Sequence, residues 1–232
     1  ELYALNKNDN DKDYFYFDPI FPVANNTIAG IIKKKLKIIN PKVGLYLIKI
    51  DNFFLKIFKK KKFGNVVFTR SENAFKLSKN DIFLKPSQKQ IDYGNSILKE
   101  YGLLDKKFVC LINRDDSYLK KTYTKDYYHH DYRNSSIKNY LSAAEYLSTE
   151  NIYTLRMGSI VSEKINLKNK YIIDYASNGM RTDFLDVFLS FKCFFWISGG
   201  TGMDSFATVY RKPILKTNYC PIRPDNLFKS SP

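Results

Sequence analysis

Cysteine is scarce. The 232-residue chain holds three, Cys110, Cys193 and Cys220, odd in number, widely spaced and without a C-x-x-C pair. That pattern excludes a disulfide framework and points to reduced thiols in a cytoplasmic compartment, two of them beside predicted core strands. Histidine is scarcer, with only His129 and His130. On an extended backbone these neighbours would face opposite ways, so no metal site is expected. Internal repeats and low-complexity tracts are missing, as is any apolar run near the ~20 residues of a membrane span. No signal peptide opens the chain. The sequence begins at Glu1 rather than methionine and stops at Ser-Ser-Pro just after a predicted strand, so it is expected to be a piece of a longer protein.

Apolar content is ample. At 44% hydrophobic and 16% aromatic residues, the chain can bury a core in one large domain or two small ones, which excludes disorder. Its 38 Lys+Arg against 23 Asp+Glu give a net charge of +15, suited to a nucleic acid, an anionic membrane or a phosphorylated substrate. Lysine, asparagine, isoleucine and tyrosine are enriched throughout, as in products of AT-rich genomes, so the location of charge says more than its total.

The most informative stretch is 193–215, C-F-F-W-I-S-G-G-T-G-M-D-S-F-A-T-V-Y-R-K-P-I-L. The apolar run 194–197 reads as a buried strand, and helical spacing from Met203 to Tyr210 follows until Pro213 ends it before a short strand at Ile214 and Leu215. Between them Ser198, Gly199, Gly200, Thr201 and Gly202 lack bulk and permit positive φ. A strand, a glycine turn and a helix N-terminus aim unpaired amides at one spot, so a phosphate is the expected guest. Neither the Walker pattern nor the dinucleotide fingerprint is present.

The first hundred residues are less regular. A strand is expected at 14–17 and another at 66–69, with helices at 27–39, 45–62 and 91–101, the last capped by Gly102. The helix at 45–62 places Phe54, Ile57 and Phe58 on one face and crowds lysines at its end. Two readings fit, a membrane-surface helix or a core-facing helix with a solvated lysine end; the core-facing one is carried forward.

From residue 107 the pattern alternates. Strands are expected at 107–113, 152–155 and 171–173 before the one at 194–197, with helices from Ser135 or Ser136 to Leu147 and over 183–191, capped by Thr182. Alternation of this kind implies an α/β domain with a Rossmann-like parallel sheet. Ligands of such sheets sit outside the carboxyl ends of the strands. There lie Asn113-Arg114-Asp115-Asp116, then Arg156, Gly158 and Ser159, then Asp174 and Arg181-Thr182-Asp183, then the glycine turn. Arginines, hydroxyls, glycines and carboxylates on one rim suit a charged, hydroxyl-rich ligand. The tyrosine-rich segment 113–135 reads as a loop on the acceptor side.

With R-D-D-S-Y, H-D-Y-R-N-S-S-I-K-N-Y, R-M-G-S, D-Y-A-S and R-T-D-F-L-D in order before the glycine turn, the chain resembles the GT-B glycosyltransferases encoded in bacterial surface-polysaccharide clusters. The likeness is clearest over 108–215. It implies a partial N-terminal acceptor-side α/β domain over 1–105 and a Rossmann-like, nucleotide-sugar-binding domain over 106–232, incomplete at its C-terminus. The implied activity is metal-independent transfer of a sugar from a nucleotide-sugar to a surface glycan or lipid-linked acceptor. No cofactor beyond the donor, and no nucleic acid, is implied.

The resemblance also suggests roles. Arg156, Gly158 and Ser159 would lie near the donor diphosphate or base, Ser198 to Gly202 would hold phosphate or sugar, and Arg114 and Arg133 would assist the leaving group, with Thr182 and Asp183 also on the donor side. For an inverting reaction the candidate bases are Asp131, His130 and Asp115. Asn113 stands where the family pattern has a histidine, and Gly-Gly-Thr-Gly replaces a Thr-Ser-Ser-Gly type of turn. The alternative is a glycan- or nucleotide-binding module of the same fold without turnover, and a nucleic-acid binder, motivated by charge alone and supported by no recognised motif, ranks last. A cytoplasmic place is expected, with peripheral contact at the inner face of an anionic membrane.

Overall fold

A computed structural model of the chain describes residues 14–17, 19, 22–59, 82, 84–123 and 128–218. These fall into two compact units, one ending before Leu84 and one from Leu84 onward.

In the first unit, Asn25 starts helix α1 (Asn26–Lys35) by accepting the Ile28 amide at 3.0 Å. Lys33, Lys34 and Lys35 end it, cations at the negative pole of the helix, and Leu36 turns extended. Helix α2 (Pro41–Phe58) begins four residues before its expected start, because Asn40 accepts the Lys42 amide and Pro41 supplies a preset φ at the first turn. Lys59, at φ 52°, closes it. The strand expected at 14–17 is a single parallel bridge between Phe15 and Ile38. The strand expected at 66–69 and the lysines at 60–62 lie outside the described residues.

The second unit is an α/β domain with a five-stranded, all-parallel sheet: β1 (Phe108–Ile112), β2 (Tyr153–Arg156), β3 (Ile172–Ile173), β4 (Trp196–Ser198) and β5 (Ile214–Lys216), in the order β3-β2-β1-β4-β5. That is the Rossmann-like arrangement, and its order reverses between β1 and β4. Along β1 the pleat sends Phe108, Cys110 and Ile112 into one core and Leu111 into another. Both faces are therefore covered, as the unbroken apolar run F-V-C-L-I requires.

Helix α3 (Gln88–Glu100) packs with this unit rather than with the N-terminal residues. Its end explains why. Gly102, at φ 68°, donates to the Lys99 carbonyl at 3.0 Å, and Leu103 donates to the Leu98 carbonyl at 2.7 Å. This double closure turns the chain so that Leu98 and Leu103 both enter the larger core. The boundary expected near residue 105 thus falls before Leu84.

Helices α4 (Ser117–Thr122) and α5 (Leu141–Thr149) lie between β1 and β2, α6 (Asp183–Lys192) precedes β4, and α7 (Ser205–Val209) precedes β5. The expected helix from Ser135 or Ser136 divides into a 3-10 turn, Ile137–Tyr140, capped by Ser136, and α5. The loop expected over 113–135 contains α4 and a second 3-10 turn, Tyr128–Arg133. His129 and His130 sit on that turn, not on extended backbone. Strand β4 starts two residues later than the apolar run suggests, since Phe194 is exposed, beneath the Lys107 ammonium at 5.7 Å. Cys110 and Cys193 are free and buried; burial, with Cys193 beside it, pushes the Cys110 thiol up and keeps it protonated. Cys220 lies outside the described residues.

Candidate functional site

The crevice of a doubly wound sheet opens where the strand order reverses. Here that places it beyond β1 and β4, so Arg114 and the glycine turn share its floor. The turn is held from several sides. Gly199 donates to the Ile112 carbonyl at 2.9 Å, and Gly200, at φ 78°, donates to the Ser198 hydroxyl at 3.0 Å. Ser198 is fully buried and donates to Asp204 at 2.7 Å, and the Lys216 ammonium meets the same carboxylate oxygen at 2.5 Å.

Two of the amides expected to cradle a phosphate are therefore spent within the protein. The helix behind them is also short: Gly202–Asp204 forms a 3-10 turn and α7 has only 5 residues. Few aligned peptide dipoles stand behind the turn. The amides of Gly199 and Gly200 are thus engaged, and side chains beside the turn are the groups left to meet an anion.

Arginines carry that possibility, and their surroundings sort them. Arg156, expected near the donor diphosphate, has no exposed surface. Its guanidinium meets Asp174 at 3.1 Å, donates to the Glu163 carbonyl at 3.0 Å and approaches the Asn113 amide oxygen at 3.5 Å. It is a structural cation under the rim. Arg181 is likewise neutralised, by Asp186 at 2.7 Å and Asp183 at 3.1 Å. Thr182 accepts the Leu185 amide as the cap of α6. Thr182 and Asp183 thus both have a part at the start of α6.

Arg114 and Arg133 differ. Among the described residues neither forms an ion pair; the Nε of each is buried without a hydrogen-bond partner, as it is in Arg156 and Arg181. Arg133 donates from Nη2 to the Gly200 carbonyl at 2.6 Å, which ties the Tyr128–Arg133 turn to the glycine turn. The Ser135 amide donates to the Arg114 carbonyl at 2.8 Å. Partial burial lowers the Arg114 guanidinium from its usual value, and the nearby positive charge of Arg133 lowers it further. Two like charges are thus held together where the sheet opens. The Thr201 hydroxyl, on the same turn, is also buried and unpartnered.

Hydroxyls line the approach. Tyr140, buried, shares a 3.2 Å hydrogen bond with Ser135 and accepts one from Thr217 at 3.2 Å. A Cβ on Gly199 would lie 3.1 Å from the Arg114 amide nitrogen and 3.2 Å from the Tyr140 hydroxyl oxygen, so a larger residue there would press the turn against the Arg114 backbone and Tyr140 by a few tenths of an ångström.

The candidate bases separate too. Asp115 accepts from the Ser162 amide and hydroxyl, both at 3.1 Å, and from the Ser117 amide at 3.0 Å. Its carboxylate binds the β1 loop to the loop after β2. On that second loop, Gly158 is buried at φ 146° and Ser159 is half-buried. Asp131 is exposed, accepts from Asn134 at 3.1 Å and acts electrostatically on Arg114. Asn113 donates to the Ser135 carbonyl at 2.7 Å and so ties the end of β1 to the segment before the Ile137–Tyr140 turn.

Sequence reading missed Tyr140, Asp204, Lys216 and Thr217. Tyr140 looked like one more apolar helix position. Lys216 and Thr217 stand at the carboxyl end of β5, where the rule applied to the other strands would have found them. Comparison with protein-family models, curated proteins and solved structures returned no match.

Proposed function

We propose that the protein transfers a sugar from a nucleotide-activated donor, with the donor diphosphate on Arg114 and Arg133. The observation that carries the reading is this pair, which among the described residues forms no salt bridge, at the strand-order reversal, beside two rim arginines that aspartates do bridge. A bound dianion would relieve the repulsion between the pair, and paired guanidinium groups match phosphate oxygens in geometry and charge.

As the glycosidic bond to the donor breaks, negative charge grows on the departing diphosphate. Cations already fixed in a partly buried site stabilise that charge without reorganisation. The Arg133 guanidinium is fixed by Gly200, and the Arg114 backbone, two residues beyond β1, is held by Ser135. Asp131, exposed and close enough to act on Arg114, is the carboxylate available to take the acceptor proton in an inverting reaction. Asp115 holds loops together instead. A surface glycan or a lipid-linked sugar is the acceptor class that fits the resemblance.

A second reading, ligand binding without turnover, draws on Asn113, which is engaged by the Ser135 carbonyl and has no basic nitrogen to offer.

Titration calorimetry with a panel of nucleoside diphosphates and their sugars tests the first step. Binding of one base class, lost in the Arg114→Ala, Arg133→Ala double variant, is the expected result. No binding by a folded wild type overturns the reading. Donor turnover with glycan acceptors, measured on the same protein, then separates transfer from binding alone.

A further inference from the structure

Helix α2 presents an exposed apolar face that makes no buried contact among the described residues of its unit. Its two buried residues, Gly44 and Asp51, lie on one side, which at the C-terminal end also carries the exposed Leu55 and Phe58. At about 100° per residue, Val43, Tyr46, Ile50, Phe53 and Ile57 share one stripe turned away from that side, spaced like the apolar face of an amphipathic helix. Val43, Tyr46, Phe53 and Ile57 are 50%, 64%, 58% and 55% exposed. Lys42, Lys49 and Lys56 recur every seven residues along one edge of the stripe, all exposed. The helix has one acid, Asp51, and it is buried on the opposite side. Lys59 ends the helix, and the sequence continues Lys60-Lys61-Lys62.

Apolar side chains and a one-sided lysine row on the same exposed surface specify an environment that is hydrocarbon on one side and anionic on the other. We propose that this face of α2 lies in the headgroup region of an anionic lipid bilayer. Tyr46, Ile50, Phe53 and Ile57 enter the acyl boundary, and Lys42, Lys49 and Lys56 meet lipid phosphates. Among the described residues no helix is long and apolar enough to cross a membrane, so α2 lies in the plane of the surface. A single-stranded nucleic acid would stack on Tyr46 and Phe53 but leave Val43, Ile50 and Ile57 in water. A second copy of the chain would set one lysine row against another. The inference is independent of the donor chemistry and survives a failure of nucleotide binding.

Co-sedimentation of the full chain with lipid vesicles tests it. Vesicles of phosphatidylcholine carrying phosphatidylglycerol are expected to bind the protein, pure phosphatidylcholine far less, and binding falls as salt rises. Replacing Lys42, Lys49 and Lys56 by Glu lowers partitioning on the order of 100-fold or more, whereas replacing all three by Arg preserves it. The Phe53→Ser, Ile57→Ser double variant also loses binding. These side chains are exposed, so every variant should melt with the wild type. Equal binding to both vesicle types, or binding unchanged in the Glu or Ser variants, overturns the proposal. So does a wild type that binds RNA or dimerises but ignores vesicles.

Discussion

Arg133 donates to the carbonyl of Gly200 at 2.6 Å, across 67 positions of sequence. One guanidinium thereby fixes the turn after β4 against the turn Tyr128–Arg133, and it does so beside Arg114, whose charge it opposes. The two side chains should fail differently when removed. Arg114→Ala relieves repulsion and partial burial of an unpaired cation, so the melting temperature is expected to hold or rise while nucleoside diphosphate affinity falls. Arg133→Ala removes a charge-assisted hydrogen bond worth about 1.5–3 kcal/mol and lowers both. Differential scanning calorimetry beside ligand titration reads the split; equal losses of stability in both variants would refute it.

Arg156→Ala is a folding variant, not a binding one. It takes the cation from Asp174, a mostly buried carboxylate that keeps its bonds from Ile165 and Ser177, so a loss of about 2–4 kcal/mol is expected, toward the lower end of that for breaking a buried pair, read from the urea midpoint. A variant as stable as wild type that had lost only ligand affinity would return Arg156 to the donor site.

Gly199 and Gly202 give a matched pair. At Gly199 a methyl meets the Arg114 backbone nitrogen at 3.1 Å, which cannot swing away, so Gly199→Ala is expected to cost about 1–3 kcal/mol and to displace Arg114. At Gly202 nothing lies within 4 Å, and Ala should stay within about 0.5 kcal/mol of wild type. Chemical denaturation of the two variants checks both, and a tolerated Gly199→Ala would mean the turn is looser than its hydrogen bonds imply.

Tyr175 donates to Asp186 at 2.9 Å inside the core, and burial followed by the Asp186 charge pushes its phenol far above the usual tyrosine value. Below pH ~10 the phenol is neutral in both states and its contribution is fully present. Above that the unfolded chain ionises while the folded one does not, so stability falls by about 1.4 kcal/mol per pH unit for this group. Tyr175→Phe should be less stable at neutral pH and should lose that increment of alkaline slope. Denaturation curves of the two proteins between neutral and alkaline pH test it, and parallel pH profiles would refute it.

Much of the local structure was written in short-range signals. The run F-V-C-L-I bounded by Lys107 and Asn113 marks a doubly covered strand, Thr182 marks the start of α6, and Gly102 marks the end of α3, each because a nearby residue satisfies or terminates the backbone. Parallel strands alternating with helices followed from the same signals, and with them the rim on which a ligand would sit. What each rim residue does there was not legible. Arg133 and Arg156 stand in similar company along the chain, yet Asp174, 18 positions away, neutralises one, while the other, among the described residues, donates to a carbonyl 67 positions away. Caps and periodicity act within a turn or two of backbone and can be read in order. Neutralisation of a charge depends on which distant strand ends the sheet brings together, and only the strand order β3-β2-β1-β4-β5 decides that.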